Sequence, residues 1–314
     1  MNKKQSESAI TRRAFLWTAG MSALAGTMTV GCSAARQAGD EKRKIIVGAH
    51  PWVYAATQPK FDITPVLPQI FADMSYAGMD GIELMHNALR PDSAVERIGA
   101  LSQQHHLPVI GASFDGAMWN RQQHATIMAD AELVIPRLAS LGGRTLGISV
   151  GPLEWGSKKR KTPEQLDAQA ELLRPLMALC KTHGIVPNLH NHTYEVENDL
   201  YDLQGTLARI PGARLGPDLN WLVRGGVDPA TFLREYGSQI VFLHLRDQYR
   251  DGRWSEALGE GDMDYTAIHA ALQEIHFQGD AIIELAHEQD FKPTRPLRDT
   301  LRISRQFVRN TLDF

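Results

Sequence analysis

From Lys44 onward the chain alternates short apolar runs with longer stretches whose apolar residues recur at helical spacing. The runs Ile45–His50, Gly81–Met85, Leu107–Ser113 and Arg144–Val150 predict strands, as do those ending near His190, Asp218, His244 and Glu284. Between and after them fall helix-like stretches near 63–76, 93–105, 122–141, 162–183, 199–210, 229–236, 265–276 and 296–312. The fourth of these carries its own boundary signals. Thr162 is a capping residue before Pro163 at the first helical position, and Gly184 closes the far end. Strict strand–helix alternation implies a parallel sheet, and eight such units in ~270 residues match a single α/β domain, a (β/α)8 barrel. An open doubly wound sheet is the competing arrangement. It would want a glycine-rich phosphate loop after an early strand, and none is present. The longest connection, from His244 to Asp264, contains Gly-Glu-Gly-Asp and is expected to border an active site.

The first residues differ in kind. Lys3 and Lys4, then Arg12-Arg13-Ala-Phe-Leu16, then a mildly apolar Gly/Ala/Ser/Thr-rich run ending at Cys32 form a charged, apolar and small-residue sequence. Residues 1–32 resemble a twin-arginine signal peptide, with a lipoprotein-like box at Cys32, and 33–43 read as a solvated linker. The domain would then occupy residues 44–314. Export through the twin-arginine machinery to the periplasm is expected, and Cys32 offers a point for a lipid anchor. Cys180 is the one cysteine left in the mature chain, so no internal disulfide can form. A formal charge of −3 over 314 residues, without a long basic run, gives no footprint for nucleic acid.

The chemistry concentrates where the later strands end. His190 and His192 stand two apart, so a strand would turn both to one face. The next three strands close on Asp218, His244 and Glu284. Each has a plainer reading alone: Asp218 as a loop cap, His244 as a core histidine, Glu284 as a partner of Arg246. On four consecutive strands of a barrel they converge at the C-terminal face, where such barrels keep their sites. Two imidazoles and two carboxylates suit one divalent ion, Mn2+ first, with Zn2+, Co2+ or Fe2+ as alternatives, and suit Ca2+ poorly.

Those residues, with Gly81-Ile-Glu83-Leu, His190-Asn-His192, Gly225-Gly-Val-Asp-Pro229, His244-Leu-Arg-Asp247 and Leu258-Gly-Glu-Gly-Asp-Met-Asp264, resemble the xylose-isomerase-like TIM barrels of the sugar phosphate isomerase/epimerase superfamily. The resemblance implies that His190, Asp218, His244 and Glu284 are the metal ligands. Histidine stands at strand five where ketose epimerases of the superfamily have glutamate, which disfavours a symmetric two-carboxylate epimerisation. Glu284 is then the expected base, with His192, Glu195 or Glu83 as the second acid/base. His50, Trp221 and Arg246 are candidate substrate contacts, and Trp52, Trp119 and Trp155 also follow strand ends, where aromatic faces stack on sugar rings. The expected activity is that of an exported, metal-dependent isomerase or epimerase of a sugar or keto-sugar, working through a metal-stabilised enediolate. Alternatives are a lyase eliminating from a 3-keto-glycoside on the same centre, or a non-catalytic periplasmic sugar-binding protein. The apurinic endonucleases of the superfamily need further histidines after Asp218 and His244 that this chain lacks.

Overall fold

The computed structural model describes residues 44–314; the leader, the box at Cys32 and the linker lie outside them. Eight parallel strands run as β1 Val47–Ala49, β2 Gly81–Met85, β3 Val109–Asp115, β4 Thr145–Ser149, β5 Val186–Leu189, β6 Arg214–Leu215, β7 Phe242–Leu245 and β8 Asp280–Ile283. They pair in the order β6-β5-β4-β3-β2-β1-β8-β7. Helices Leu67–Tyr76, Ala94–His105, His124–Ser140, Pro163–Thr182, Thr193–Arg209, Pro229–Tyr236, Tyr265–Glu274 and Leu297–Leu312 form the outer ring. The architecture is the expected single (β/α)8 barrel. The seam between β6 and β7 is the thinnest. It closes through isolated bridges, Leu215 to Ile240 and Asp218 to His244, because β6 is only two residues long. Pro217, which has no N–H to give, offers its carbonyl to His244 N at 2.9 Å.

Strand alternation sorts the barrel interior into layers. Ile110, Phe242 and Ile282 form an apolar plug. Gly48 leaves room for it, since a Cβ there would come within 2.9 Å of both Ile110 and Ile282. Two residues further along the same strands the inward side chains become polar: His50 after Gly48, Glu83 after Gly81, His244 after Phe242 and Glu284 after Ile282. All four are buried. The dry plug therefore sets these four polar side chains at the C-terminal end of the barrel, apart from Asp280 at the opposite end of β8.

The helix boundaries follow their local chemistry. Thr162 and Gln165 form a reciprocal capping box around Pro163, and Gly184 adopts φ +69° just beyond the helix, as the sequence predicts. The stretch expected to be helical from 199 to 210 begins earlier, at Thr193, and breaks at residues 197–200. There Glu197 is extended and Asn198, Asp199 and Leu200 take left-handed φ. Asn and Asp bear that conformation at the least cost among side chains other than glycine. A short helix unforeseen in the sequence, Leu219–Arg224, starts directly on Asp218. Among the described residues no helix is long and apolar enough to cross a membrane.

One buried ionic network ties the outer ring to the β4 connection. Lys161 Nζ lies 2.6 Å from Asp202 Oδ2 and donates to Gln169 Oε1 at 2.7 Å. Gln169 in turn donates to Asp202 and Thr206 at 2.9 and 2.7 Å. Both ions are almost wholly buried, so losing one strands the other in a dry site. Lys161→Met is expected to lower unfolding stability by about 3–5 kcal/mol in urea denaturation. A loss below about 1 kcal/mol would show that water screens the pair.

Candidate metal centre

His190, His244 and Glu284 come together at the mouth of the barrel, each offering one donor atom within 4.8 Å of the others. The Nδ1 atoms of His190 and His244 are 2.9 Å apart. His244 Nε2 lies 2.6 Å from Glu83 Oε2, a contact made with both residues essentially out of solvent. Glu284 is held from two other sides. His50 Nδ1 lies 3.3 Å from its Oε1, and Arg246 Nη2 reaches the same oxygen at 2.5 Å. Arg246 also donates from Nε to Asp218 Oδ2 at 2.7 Å, while Asp218 Oδ1 accepts from Asn220 N and Trp221 N at 3.0 Å each. That second pair of bonds is the N-cap of the short helix Leu219–Arg224.

Burial and these neighbours set the charges. Burial opposes the charged form of His244, but Glu83, Glu284 and Asp218 outweigh it and push the imidazole up to about 9. Burial and the nearby His244 hold His190 neutral, well below its ordinary value. Burial, then Arg246, brings His192 down to about 3. Although burial raises the Glu284 carboxyl, Arg246 and His50 more than offset it and keep the group ionised far below the usual carboxylate range. Burial raises Asp218 against the pull of Arg246.

The donor set fits a small divalent cation. Glu83 lies against His244 Nε2, as carboxylates do that orient metal-ligating histidines; Nε2 also faces Glu284 Oε2 at 3.7 Å, and Nδ1 faces His190. Loading a cation asks only that the proton shared between the two Nδ1 atoms leave. Glu83 Oε1 is buried and unpartnered, as is the Asn188 amide one position below His190 on the same strand face.

The remaining candidates fall into two groups. His50, Arg246 and Trp221 border the centre, with Arg246 stacked 5.6 Å over Trp221. His192 also faces it, its ring centroid 4.9 Å from that of His190. Glu195 sits one step back. It accepts from Ser149 Oγ at 3.3 Å and from His192 N at 2.6 Å, and Ser149 contacts His192 Nδ1 at 3.2 Å. Burial, then Asp202, pushes Glu195 up to about 8. Ser149 closes β4 as the other site residues close or follow their strands; the same rule would have found it. Of the tryptophans, Trp155 covers His192 and Tyr194 edge-on, while Trp52 stacks on Phe61 and Trp119 donates to Pro152 O. Trp254, which packs edge-on against Trp221, lies in the long loop with no sequence signal of its own. That loop is gathered by Asp247, whose carboxylate accepts from the backbone N–H groups of Gln248, Gly259, Gly261 and Met263.

Residues 71–310 match the family model described as the xylose isomerase-like TIM barrel. Comparison with curated proteins finds no match. Among solved structures, a sugar phosphate isomerase/epimerase from Parabacteroides distasonis is 16% identical with a TM-score of 0.66, covering 88% of this chain and 96% of its own. The 3-keto-D-glucoside 4-epimerase of E. coli is 19% identical with a TM-score of 0.65, covering 84% and 100%. D-Psicose 3-epimerase of Clostridium cellulolyticum is 13% identical with a TM-score of 0.67, covering 85% and 99%. At these identities the likeness to solved structures is one of fold. The chain belongs to the xylose isomerase-like TIM barrel family.

The Glu83–His244 contact has a pH signature. A folded-state pKa of about 9 for His244, above its ordinary 6.5, contributes stability that is present below pH 6.5 and lost as pH rises through 9. Glu195, raised to about 8, loses its contribution by that pH. Melting of chelator-treated protein should therefore show Tm still falling between pH 8 and 9. Glu83→Gln should flatten that upper limb and spare the lower one, whereas an unchanged limb would show that Glu83 does not set the charge of His244.

Proposed function

We propose that this member of the xylose isomerase-like TIM barrel family is a divalent-metal-dependent isomerase or epimerase of a sugar or keto-sugar. The observation that carries the reading is the convergence of His190, His244 and Glu284, with Glu83 against His244 Nε2. When bound, the cation would supply Lewis acidity toward a sugar carbonyl and its neighbouring hydroxyl. Glu284 takes the α-proton. Arg246 and His50 keep that carboxylate ionised at the cost of basicity, so it is matched to a C–H already acidified by carbonyl polarisation. His192 returns a proton from the other side, its Nδ1 in contact with Ser149 Oγ at 3.2 Å. Trp221, Trp254 and Arg246 wall the same mouth and shed water from it.

Elimination is the second reading, and His192 favours it. Held at about 3, this imidazole is a poor resting base and a ready donor once protonated. Glu284 alone would then remove the proton and the His192 side would protonate a departing β-substituent, as in a 3-keto-glycoside.

The substrate we infer is uncharged. Arg246 is committed to Asp218 and Glu284, and Arg224 to Gln248 Oε1, Gly252 O and the face of Trp254. Neither rim arginine is left to receive a phosphate. The twin-arginine-like leader points the same way, because sugar phosphates are largely cytoplasmic and an exported enzyme meets free or glycosidically linked sugars.

Incubating the metal-loaded protein with ketohexoses and 3-keto-glycosides in D2O should place deuterium at the carbon next to the carbonyl. Glu284→Gln should slow this by about 10²–10⁴-fold. Exchange with retained carbon skeleton marks the isomerase, and release of the aglycone marks the lyase. Turnover of sugar phosphates alone would overturn the substrate class. Loaded protein without any exchange would leave a sugar-binding barrel.

A further inference from the structure

We propose that Arg246 takes Asp218 out of the donor set, so that the cation is held by two imidazoles and a single carboxylate. The inference rests on the metal reading above and departs from the four-ligand expectation of the sequence. Asp218 is wholly buried and both of its oxygens are engaged. Oδ1 caps the helix Leu219–Arg224 through two backbone N–H groups, and Oδ2 accepts from Arg246 Nε. A cation at Asp218 would have to share an oxygen that already accepts from the guanidinium or from the N-terminus of that helix. Among the described residues, the group of donors within 4.8 Å of one another is His190, His244 and Glu284, without Asp218.

Arg246 is fixed well enough to enforce this. It bridges Asp218 and Glu284 at 2.7 and 2.5 Å, and its guanidinium lies 5.3 Å from the ring centroid of Trp254 and 5.6 Å from that of Trp221. Tyr265 clamps its carbonyl at 2.6 Å, and the next residue, Asp247, is bound by four backbone N–H groups. Planar guanidinium is the side chain suited to such a buried two-carboxylate bridge. Charge also balances. Glu83, Asp218 and Glu284 supply three negative charges against Arg246 and a dication, once His244 has given up its extra proton to ligate. A centre so balanced admits a neutral chelating substrate without leaving uncompensated charge in a dry mouth. The three-donor set leaves positions open for a carbonyl and an adjacent hydroxyl together.

Cobalt titration of the chelator-treated full chain, by calorimetry and by visible absorption, tests the assignment. Asp218→Asn keeps an oxygen for the helix cap. It should weaken Co2+ binding by less than about tenfold, through lost charge alone, and leave the d–d bands where they are. Glu284→Gln should weaken binding by more than about a hundredfold. Arg246→Met frees Asp218 beside the site and should tighten binding by about tenfold, with weaker d–d bands as the coordination number rises. Melting curves check that each variant is folded. If Asp218→Asn loses the metal as completely as Glu284→Gln, or Arg246→Met changes neither affinity nor spectrum, the three-donor assignment is overturned while the metal reading stands. A wild-type chain that takes up no Co2+ overturns both.

Discussion

The guanidinium of Arg246, buried between Asp218 and Glu284, is the contact on which the mouth of this barrel depends. It joins the ends of strands β6 and β8 across β7, where the sheet is otherwise closed by two isolated bridges. Two carboxylates this close and this dry would repel each other and desolvate at great cost without a cation between them. Arg246 supplies that cation permanently. The seam is therefore held by a charge contact in the same place where the chemistry is set, and geometry and electrostatics cannot be altered separately there.

Much of this was legible because strand alternation is a strict rule. Once the apolar runs are read as strands, residues two apart must share a face, and the last inward residue of each strand must reach the mouth. That rule brought His190, His244 and Glu284 together, as the structure does. It said nothing about how far each side chain extends or which neighbour takes it. Asp218 obeyed the rule in position, yet its carboxylate turned to a helix cap and a guanidinium. The cap lay hidden because Leu219–Arg224 is six residues long, too short to show a helical period. Arg246 was expected at the substrate or paired with Glu284; the structure pairs it with Glu284 and also with Asp218, a partner the sequence does not show.

Other features left no periodic trace. Lys161 and Asp202 form a buried pair from a loop and a helix that are distant in sequence, and pattern alone reads both as solvated charges. The helix expected from 199 to 210 has an extra turn before it, Thr193–Val196, separated by the left-handed residues 198–200. That turn matters to the site. It carries Tyr194 and Glu195, and the Glu195 side chain caps it from within by accepting from His192 N at 2.6 Å. A continuous helix from 193 on would have set Glu195 relative to Ser149 by helical geometry alone; the break lets the first turn follow the strand end instead.

The centre is asymmetric in a way that bears on its chemistry. On one side Glu284 is a charged carboxylate of low basicity. On the other, His192 is neutral and connects through Ser149 to a Glu195 that keeps its proton near neutral pH. In the proposed reaction, one side would accept a proton from a strongly acidified carbon and the other would deliver one as negative charge builds next to it. Both conditions would be met in the same step, when a carbonyl-adjacent C–H breaks and charge moves onto oxygen at the mouth. On the proposed reading, this arrangement favours enolising a carbonyl compound over hydrolysing an unactivated bond. In that reading the fixed charges are those of Arg246 and Glu83, and the protons that move belong to Glu284 and His192.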